Sequence, residues 1–205
     1  MNNTGKPKKF VPVPNRIWNL KPYIEELTAV YCVLYLLAGP VEANEITIKR
    51  LYTIIRRPGG KRIYTKQYKA VKDAVVFLID TGILAATGFD RDKPGAVFRY
   101  WFPEPVRNRY TLLQEADIDA VSDTLLRTDN ISFDTALRVL CAARSYVSWM
   151  MNRGKELPGN IVNVTYLAKK LGISRSGATR GIRVLKYAGM VGGEESTTEQ
   201  RTRAS

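Results

Sequence analysis

A short stretch near the C-terminal end of the chain concentrates side chains that can hydrogen-bond to nucleic acid. An arginine guanidinium can donate two hydrogen bonds to the O6 and N7 atoms of guanine, and serine or threonine hydroxyls can reach bases or phosphates. No acidic residue occurs between Glu156 and Glu194 to form ion pairs with the cations. The pattern favours DNA binding over a merely solvated basic surface, and the candidate residues are Arg175, Ser176, Thr179, Arg180, Arg183 and Lys186.

Helical patterns on both sides of a glycine would place these side chains on one surface. A first helix is predicted to open near Thr165, with an apolar side formed by Leu167, Ala168 and Leu171. Gly172 can adopt the positive φ that ends a helix, and Ser174 is a favourable N-cap for the next one. That second helix, over residues 174–187, has an apolar stripe formed by Ala178, Ile182 and Leu185. The basic and hydroxyl residues therefore face outward.

Two motifs in this stretch resemble a known superfamily. Residues 167–174 read Leu-Ala-x-x-Leu-Gly-Ile-Ser, and residues 180–191 read Arg-x-Ile-x-x-Leu-x-x-x-Gly-x-Val. The first is similar to the first helix and turn of winged helix-turn-helix proteins, and the second to their recognition helix running into the wing. The resemblance implies a recognition helix that enters the major groove of DNA. A plain helical hairpin within a core is the alternative.

Two glycines interrupt the interior of the predicted second helix. Gly177 and Gly181 would each cost roughly 1 kcal/mol relative to alanine at an interior helical position. A missing side chain permits a close approach of the backbone, so a groove or a packed neighbour is expected at these positions.

A second copy of the pattern is predicted in the first half of the chain. Residues 78–84 repeat the leucine, glycine and apolar positions of residues 185–191. Helices are predicted from Pro22, over 47–55 and from Thr65, and the last two have inward-facing apolar stripes. Strands are predicted to follow over 83–87 and 96–102. Three helices and a hairpin make up a winged helix, so residues 22–103 are predicted to form the first of two such domains. The loop before its third helix is longer than the Gly-Ile-Ser turn of the second copy. The pattern of the first copy therefore predicts its fold rather than a base-reading role.

The first domain also carries basic residues suited to phosphate contacts. Lysine is a point charge on a flexible stem, and such residues commonly position a protein on the DNA backbone. From Lys49 to Lys72 there is no acidic residue, and the alternative is a solvated basic face. The candidates in this domain are Lys61, Arg62, Lys66, Lys69 and Lys72, with Arg91 and Lys93 from the predicted hairpin.

Composition restricts the function further. The net charge is +13 at pH 7, which favours an anionic partner. The chain has no histidine, the commonest metal ligand and the usual general base, and its two cysteines lie far apart. We therefore expect no enzymatic activity, no metal, no cofactor and no small-molecule ligand. No apolar run reaches the ~20 residues of a membrane span, and no signal peptide is evident, so a cytoplasmic, nucleoid-associated protein is expected.

The remaining segments flank or join the two domains. Residues 1–21 form a basic, proline-spaced arm, from which Ile17 and Trp18 are expected to dock on the first domain. Residues 104–131 form an acidic linker, in which Thr111 and Gln114 predict a capping box for a helix. A helix over residues 133–152 is apolar nearly all round, which predicts either a central helix between the domains or a homodimer interface. The tail over residues 194–205 is expected to be disordered.

The expected fold is mainly α with small β-hairpin wings, in the α+β class: tandem winged helix-turn-helix domains, over 22–103 and 132–193, joined by the helical linker. The expected function is sequence-specific binding of double-stranded DNA, most simply by a transcriptional regulator that reads the major groove with residues 174–187. The alternative is a plasmid or phage replication initiator, or an origin- or partition-site binding protein, with the same tandem architecture.

Overall fold

The computed structural model describes residues 9–39, 42–56, 65–93, 95–103, 109–128, 131–154 and 162–191. It is mainly helical with two small antiparallel sheets, which agrees with the α+β class expected. The elements, in chain order, are β1 (Phe10–Pro14), α1 (Asn15–Trp18), α2 (Leu27–Ala38), β2 (Asn44–Ile46), α3 (Ile48–Arg56), α4 (Thr65–Asp80), β3 (Ala85–Thr87), β4 (Phe98–Trp101), β5 (Tyr110–Gln114), α5 (Glu115–Thr128), α6 (Phe133–Met151), α7 (Val164–Leu171) and α8 (Arg175–Tyr187).

Helices α2, α3 and α4 pack with a three-stranded sheet in the order β2-β4-β3. The apolar stripes predicted for α3 and α4 are buried, at Ile48, Leu51, Tyr52, Ile55, Val71, Val75 and Leu78. The predicted hairpin is confirmed, with Ala86 opposite Tyr100 in the β3–β4 pair. Strand β2 pairs with the other edge of β4 and was not predicted, because three residues are too few to show an alternating pattern.

The first helix of this region begins five residues later than its predicted start at Pro22. Glu26 has a left-handed φ of 63° immediately before α2, so the helix cannot extend back through it. The backbone N–H groups of Thr28 and Ala29 donate to Asp134 Oδ1 at 2.8 and 3.0 Å. The start of α2 is therefore capped by a carboxylate from α6, a contact that no local sequence pattern could reveal.

The described end of the proline-spaced arm belongs to a sheet. Strand β1 pairs antiparallel with β5, and Val11 and Val13 are fully buried. Ile17 and Trp18 are buried too, which confirms their predicted docking. The part of the predicted arm over residues 1–8 lies outside the described residues.

The capping box predicted at Thr111 and Gln114 is wrong. Thr111 lies within β5 opposite Val13, so its backbone is committed to strand pairing. Helix α5 begins at Glu115, and the N–H of Gln114 donates to Asp117 Oδ2 at 2.6 Å. A strand partner distant in sequence thus prevented the local capping pattern from forming.

Helix α6 is central for its first half only. Residues from Asp134 to Ala143 are buried, except the partly buried Thr135, against α2, α5, α7, α8 and the β1–β5 sheet region. Its last two turns reach solvent, where Trp149 is 45% and Met151 is 68% exposed. The predicted burial is confirmed for the first half, whereas the position between two domains and the homodimer stay predictions.

Candidate nucleic-acid interface

The turn between α7 and α8 has the local structure that its sequence predicts. Asn163 caps α7 by accepting from the N–H of Tyr166 at 3.0 Å. Gly172 has a φ of 65°, which ends α7 in the left-handed region where glycine is favoured. Ser174 Oγ then accepts from the N–H of Gly177 at 3.0 Å and caps α8. A side-chain cap at the start of each helix and the left-handed Gly172 between them therefore define the two helices and the turn.

All six candidate residues predicted on α8 lie on its exposed surface. Ala178, Ile182 and Leu185 are buried on the opposite side, as predicted, together with Gly181 and Val184. The Thr179 hydroxyl donates to the carbonyl oxygen of Arg175 at 2.9 Å, which leaves the hydroxyl oxygen as an acceptor. Neither α7 nor α8 contains an acidic residue. The solvent-facing side of α8 therefore offers a concentrated set of hydrogen-bond donors.

The two interior glycines of α8 differ in what a side chain at each position would contact. A Cβ at Gly181 would lie 2.7 Å from Cγ2 of Val139 on α6, so only glycine allows the two helices to approach this closely. At Gly177 the nearest atom would be the capping Ser174 Oγ at 3.3 Å. Gly181 thus meets the packed neighbour that the sequence left open, whereas Gly177 lies beside the cap.

A buried polar cluster at the start of α6 supports the turn from behind. Arg138 is 1% exposed and donates to the carbonyl oxygen of Leu171 at 2.9 Å and to that of Trp18 at 3.1 Å. Its guanidinium carbon lies 3.7 Å from the centre of the Tyr23 ring. Since Leu171 is the last residue of α7, Arg138 joins the end of that helix to the N-terminal segment.

Asp134 is the acidic member of the same cluster. It is fully buried and accepts from the Tyr23 hydroxyl as well as from the start of α2. Burial raises the pKa of Asp134, and the hydrogen bonds from Tyr23 and α2, with the nearby charge of Arg138, offset part of that rise. No sequence pattern predicts this cluster, because a charged residue within an apolar helix pattern is expected to face solvent.

The basic residues of the first region lie in a different electrostatic setting. Lys66 and Lys69 are exposed on α4 and Lys72 is partly exposed, so they do share a side of that helix. Lys66 Nζ lies 3.6 Å from Glu25, and Asp73 joins Glu25, Lys66 and Lys69 around one shallow pocket. The predicted lysine face therefore has two acidic neighbours, Asp73 on α4 itself and Glu25 from the segment before α2, and the local sequence of α4 does not show the second.

The remaining candidate DNA-binding residues of the first region, on the hairpin and in the predicted loop, are in different situations. Arg91 donates to Asp80 Oδ1 at 2.5 Å, so this guanidinium is already engaged within the protein. Lys93 is exposed. The predicted contacts at Lys61 and Arg62 lie outside the described residues, as does the part of the predicted second wing beyond Val191. No strand follows α8 within the described residues.

Glu26, beside the buried cluster, has an unusual titration. Its side chain is buried, Oε1 accepts from Gln67 Nε2 at 3.1 Å, and Oε2 has no hydrogen-bond partner. Burial, followed by the nearby Asp134 carboxylate, raises the pKa of Glu26 to about 7. Since Gln67 is on α4, its hydrogen bond to Glu26 joins that helix to the start of α2.

Other kinds of site find no support in the described part of the chain. No group of three or more thiol and carboxylate side chains there could hold a metal ion. Among the same residues, no helix is both long and apolar enough to cross a bilayer. Both cysteines are buried and unpaired, and burial raises their pKa well above the usual value, so they are poor thiolate nucleophiles.

Comparison with known proteins gives no relative from which a function could be carried over. No protein-family model, curated protein or solved structure matches the chain.

Proposed function

We propose that this chain is a sequence-specific double-stranded DNA-binding protein in which α8 enters the major groove. The observation that carries the proposal is the solvent-facing side of α8. Every polar side chain exposed there is a cation or a hydroxyl, and no acidic residue occurs on α7 or α8. Cations on such a surface are attracted to phosphates, and arginines can discriminate base edges.

The connectivity supports a finer proposal for the fold. In the first region a helix, a strand, two helices and two strands follow one another, with the sheet order β2-β4-β3. This order suits a winged helix whose third helix is α4 and whose wing is the β3–β4 hairpin. In the second region, α6, α7 and α8 suit a helix-turn-helix. We propose two such units, connected through α5 and α6, and transcriptional regulation as the simplest role.

The two basic helices make different contributions under this proposal. Arg175 and Arg180 lie near the start of α8, the end that contacts base edges in helix-turn-helix proteins. Lys66 and Lys69 are suited to phosphates. Removing either arginine should reduce the preference for the cognate site by about 1–3 kcal/mol. Removing either lysine should weaken cognate and random DNA alike.

A competition binding series on cognate and scrambled duplexes tests this division. The variants are Arg175→Ala, Arg180→Ala, Lys66→Ala and Lys69→Ala, and Arg127→Ala, which removes an exposed cation on α5, is the control. Contact with about six to ten phosphates would give a slope of log K against log salt of about −5 to −9 for the unmodified protein. A slope near zero would contradict DNA binding. A specificity change confined to the lysine variants would assign base discrimination to α4 and phosphate contact to α8.

Selection of bound sequences from a random duplex pool supplies the cognate site and separates two roles. A palindromic site would imply a symmetric dimer, as expected for many regulators. Directly repeated sites would favour the replication-initiator or partition role that the same architecture could serve. The proposal includes no catalytic step in either case.

A further inference from the structure

The exposed end of α6 carries an aromatic stack that the proposed duplex contact does not use. Tyr146, Trp149 and Arg153 follow at i, i+3 and i+7 and so share one side of the helix end. The ring centres of Tyr146 and Trp149 are 6.2 Å apart with planes at 30°. Tyr166, from the first turn of α7, lies 4.7 Å from Tyr146 with planes at 42°. The Arg153 guanidinium carbon lies 4.4 Å from the centre of the Trp149 ring.

This stack of Arg153, Trp149, Tyr146 and Tyr166, which we call the aromatic ladder, is accessible to solvent. Trp149 is 45% and Tyr166 is 36% exposed, whereas Trp18 is buried. Leaving large aromatic surface in water forgoes its burial energy, so an exposed ladder indicates a binding surface. The rings are tilted by 30° and 42° to one another, and the exposed rings at the two ends can contact a further flat ring.

The charge around the ladder selects its partner. The described residues 135–154 and 162–191 contain no aspartate or glutamate, and the exposed Arg153 and Lys169 add positive charge. A second copy of this chain, with its net charge of +13, would be repelled from such a surface. A nucleic-acid strand would be attracted to it. In duplex DNA the bases are stacked on each other, so only an unpaired strand presents base faces to an aromatic ring.

We propose that the aromatic ladder binds unpaired nucleotides of single-stranded DNA. A base stacks on Trp149 in place of the Arg153 guanidinium, and Arg153, which is exposed, turns to the adjacent phosphate. A base farther along the strand stacks on the outer side of Tyr166, because Tyr146 separates Tyr166 from Trp149. Base stacking on aromatic side chains tolerates every sequence, because each base has a π-face. The ladder therefore adds a second kind of DNA contact, which rests on nucleic-acid binding by the chain but not on base reading by α8.

The test is the affinity of the full chain for fluorescein-labelled oligo(dT), measured by anisotropy. Trp149→Leu keeps apolar bulk but removes the π-face, and Trp149→Phe restores a π-face. We expect Trp149→Leu and Tyr166→Ala to weaken binding roughly 5- to 150-fold, which corresponds to the stacking of one base. Trp149→Phe should recover most of that loss. Tyr110→Ala, which removes an exposed aromatic residue on β5, should leave the affinity unchanged.

Two further measurements separate the outcomes. Arg175→Ala should retain oligo(dT) binding while losing duplex preference, so failure of the ladder and failure of the α8 proposal would appear in different assays. Sedimentation velocity reports self-association. Equal oligo(dT) binding by Trp149→Leu and the unmodified protein would overturn the proposal. So would a dimer that Trp149→Leu dissociates, or tighter binding of oligo(rU) than of oligo(dT).

Discussion

The helix pairs α3–α4 and α7–α8 both expose basic residues, but they differ in what surrounds the charge. On α4, Lys66 lies against Glu25, and Asp73 is exposed on the same helix. On α7 and α8 there is no acidic residue. Ion pairs between exposed side chains contribute little to stability, but they reduce the positive potential that a polyanion experiences. Similar basic patterns can therefore produce surfaces of different use, and here the difference arises from acidic residues on α4 itself and from Glu25 in the preceding segment.

The regions that contain the two pairs also share a support. Asp134 caps α2, and Arg138, one turn later on α6, binds the last carbonyl of α7. One face of a single helix therefore contacts elements of both regions. Variants at this shared support should affect both regions, whereas variants that contact one helix pair alone should affect that pair.

The largest effect is expected from Arg138→Ala. The change leaves the buried Asp134 without its positive neighbour and removes the donors to Trp18 and Leu171, so a loss of about 3–5 kcal/mol is expected. Thermal unfolding followed by circular dichroism would measure it, with Arg144→Ala as the control, since that arginine is partly exposed and pairs with Asp117 at 2.8 Å. We expect both regions to lose stability together. Loss of α7 and α8 alone would show that the regions fold independently.

The next effect concerns pH and the first pair only. Glu26 has a folded pKa of about 7 against an ordinary value of 4.5, so the folded state binds its proton more tightly than the unfolded state. Its contribution to stability is fully present below about pH 4.5 and is lost as the pH rises through about 7. The shift corresponds to about 3 kcal/mol, from about 1.4 kcal/mol per pKa unit.

Glu26→Gln, which keeps an acceptor for Gln67, should remove that part of the pH dependence. Denaturant unfolding at pH 5 and pH 8 measures it, and the exposed Glu45→Gln serves as the control. The variant should be the more stable protein at pH 8. An unchanged difference between the two pH values would show that Glu26 is not the titrating group.

A smaller effect should distinguish the two glycines of the second pair. Gly181→Ala places a Cβ against Val139 on α6, and we expect a loss of about 1–3 kcal/mol despite the better helix propensity of alanine. Gly177→Ala meets only the Ser174 side chain and the edge of Ile173, so it should be neutral or stabilising by up to about 1 kcal/mol. Chemical denaturation of both variants measures the contrast. Equal effects would mean that α6 and α8 are not in close contact.

The smallest effect should come from Glu25→Gln. This change releases Lys66 from its exposed ion pair and should alter stability by less than about 1 kcal/mol. If α4 contacts phosphates, affinity for random duplex should rise and the salt dependence should steepen by about one unit of slope. Asp123→Gln, on α5, is the control. No change in duplex affinity would indicate that α4 lies away from the DNA and would leave α8 as the main contact.

The elements that depend on residues close in sequence could be read from the chain directly. The turn from Gly172 to Ser174, the apolar stripes of α3, α4 and α8, and the exposed position of the α8 cations follow from capping and helical spacing alone. These features persist because each depends on contacts within about one helical turn.

The features that join distant segments depend on tertiary contacts and could not be predicted from local sequence. Pairing with β1 turned Thr111 into a strand residue, and Asp134 fixed the start of α2 from a position more than a hundred residues away. The burial of Arg138 and the proximity of Glu25 to Lys66 likewise depend on how helices meet. The aromatic ladder joins Tyr146 on α6 to Tyr166 on α7, and neither local pattern shows the stack. These interactions depend on long-range packing and desolvation. A periodic pattern within one segment does not show which distant segment will pack against it.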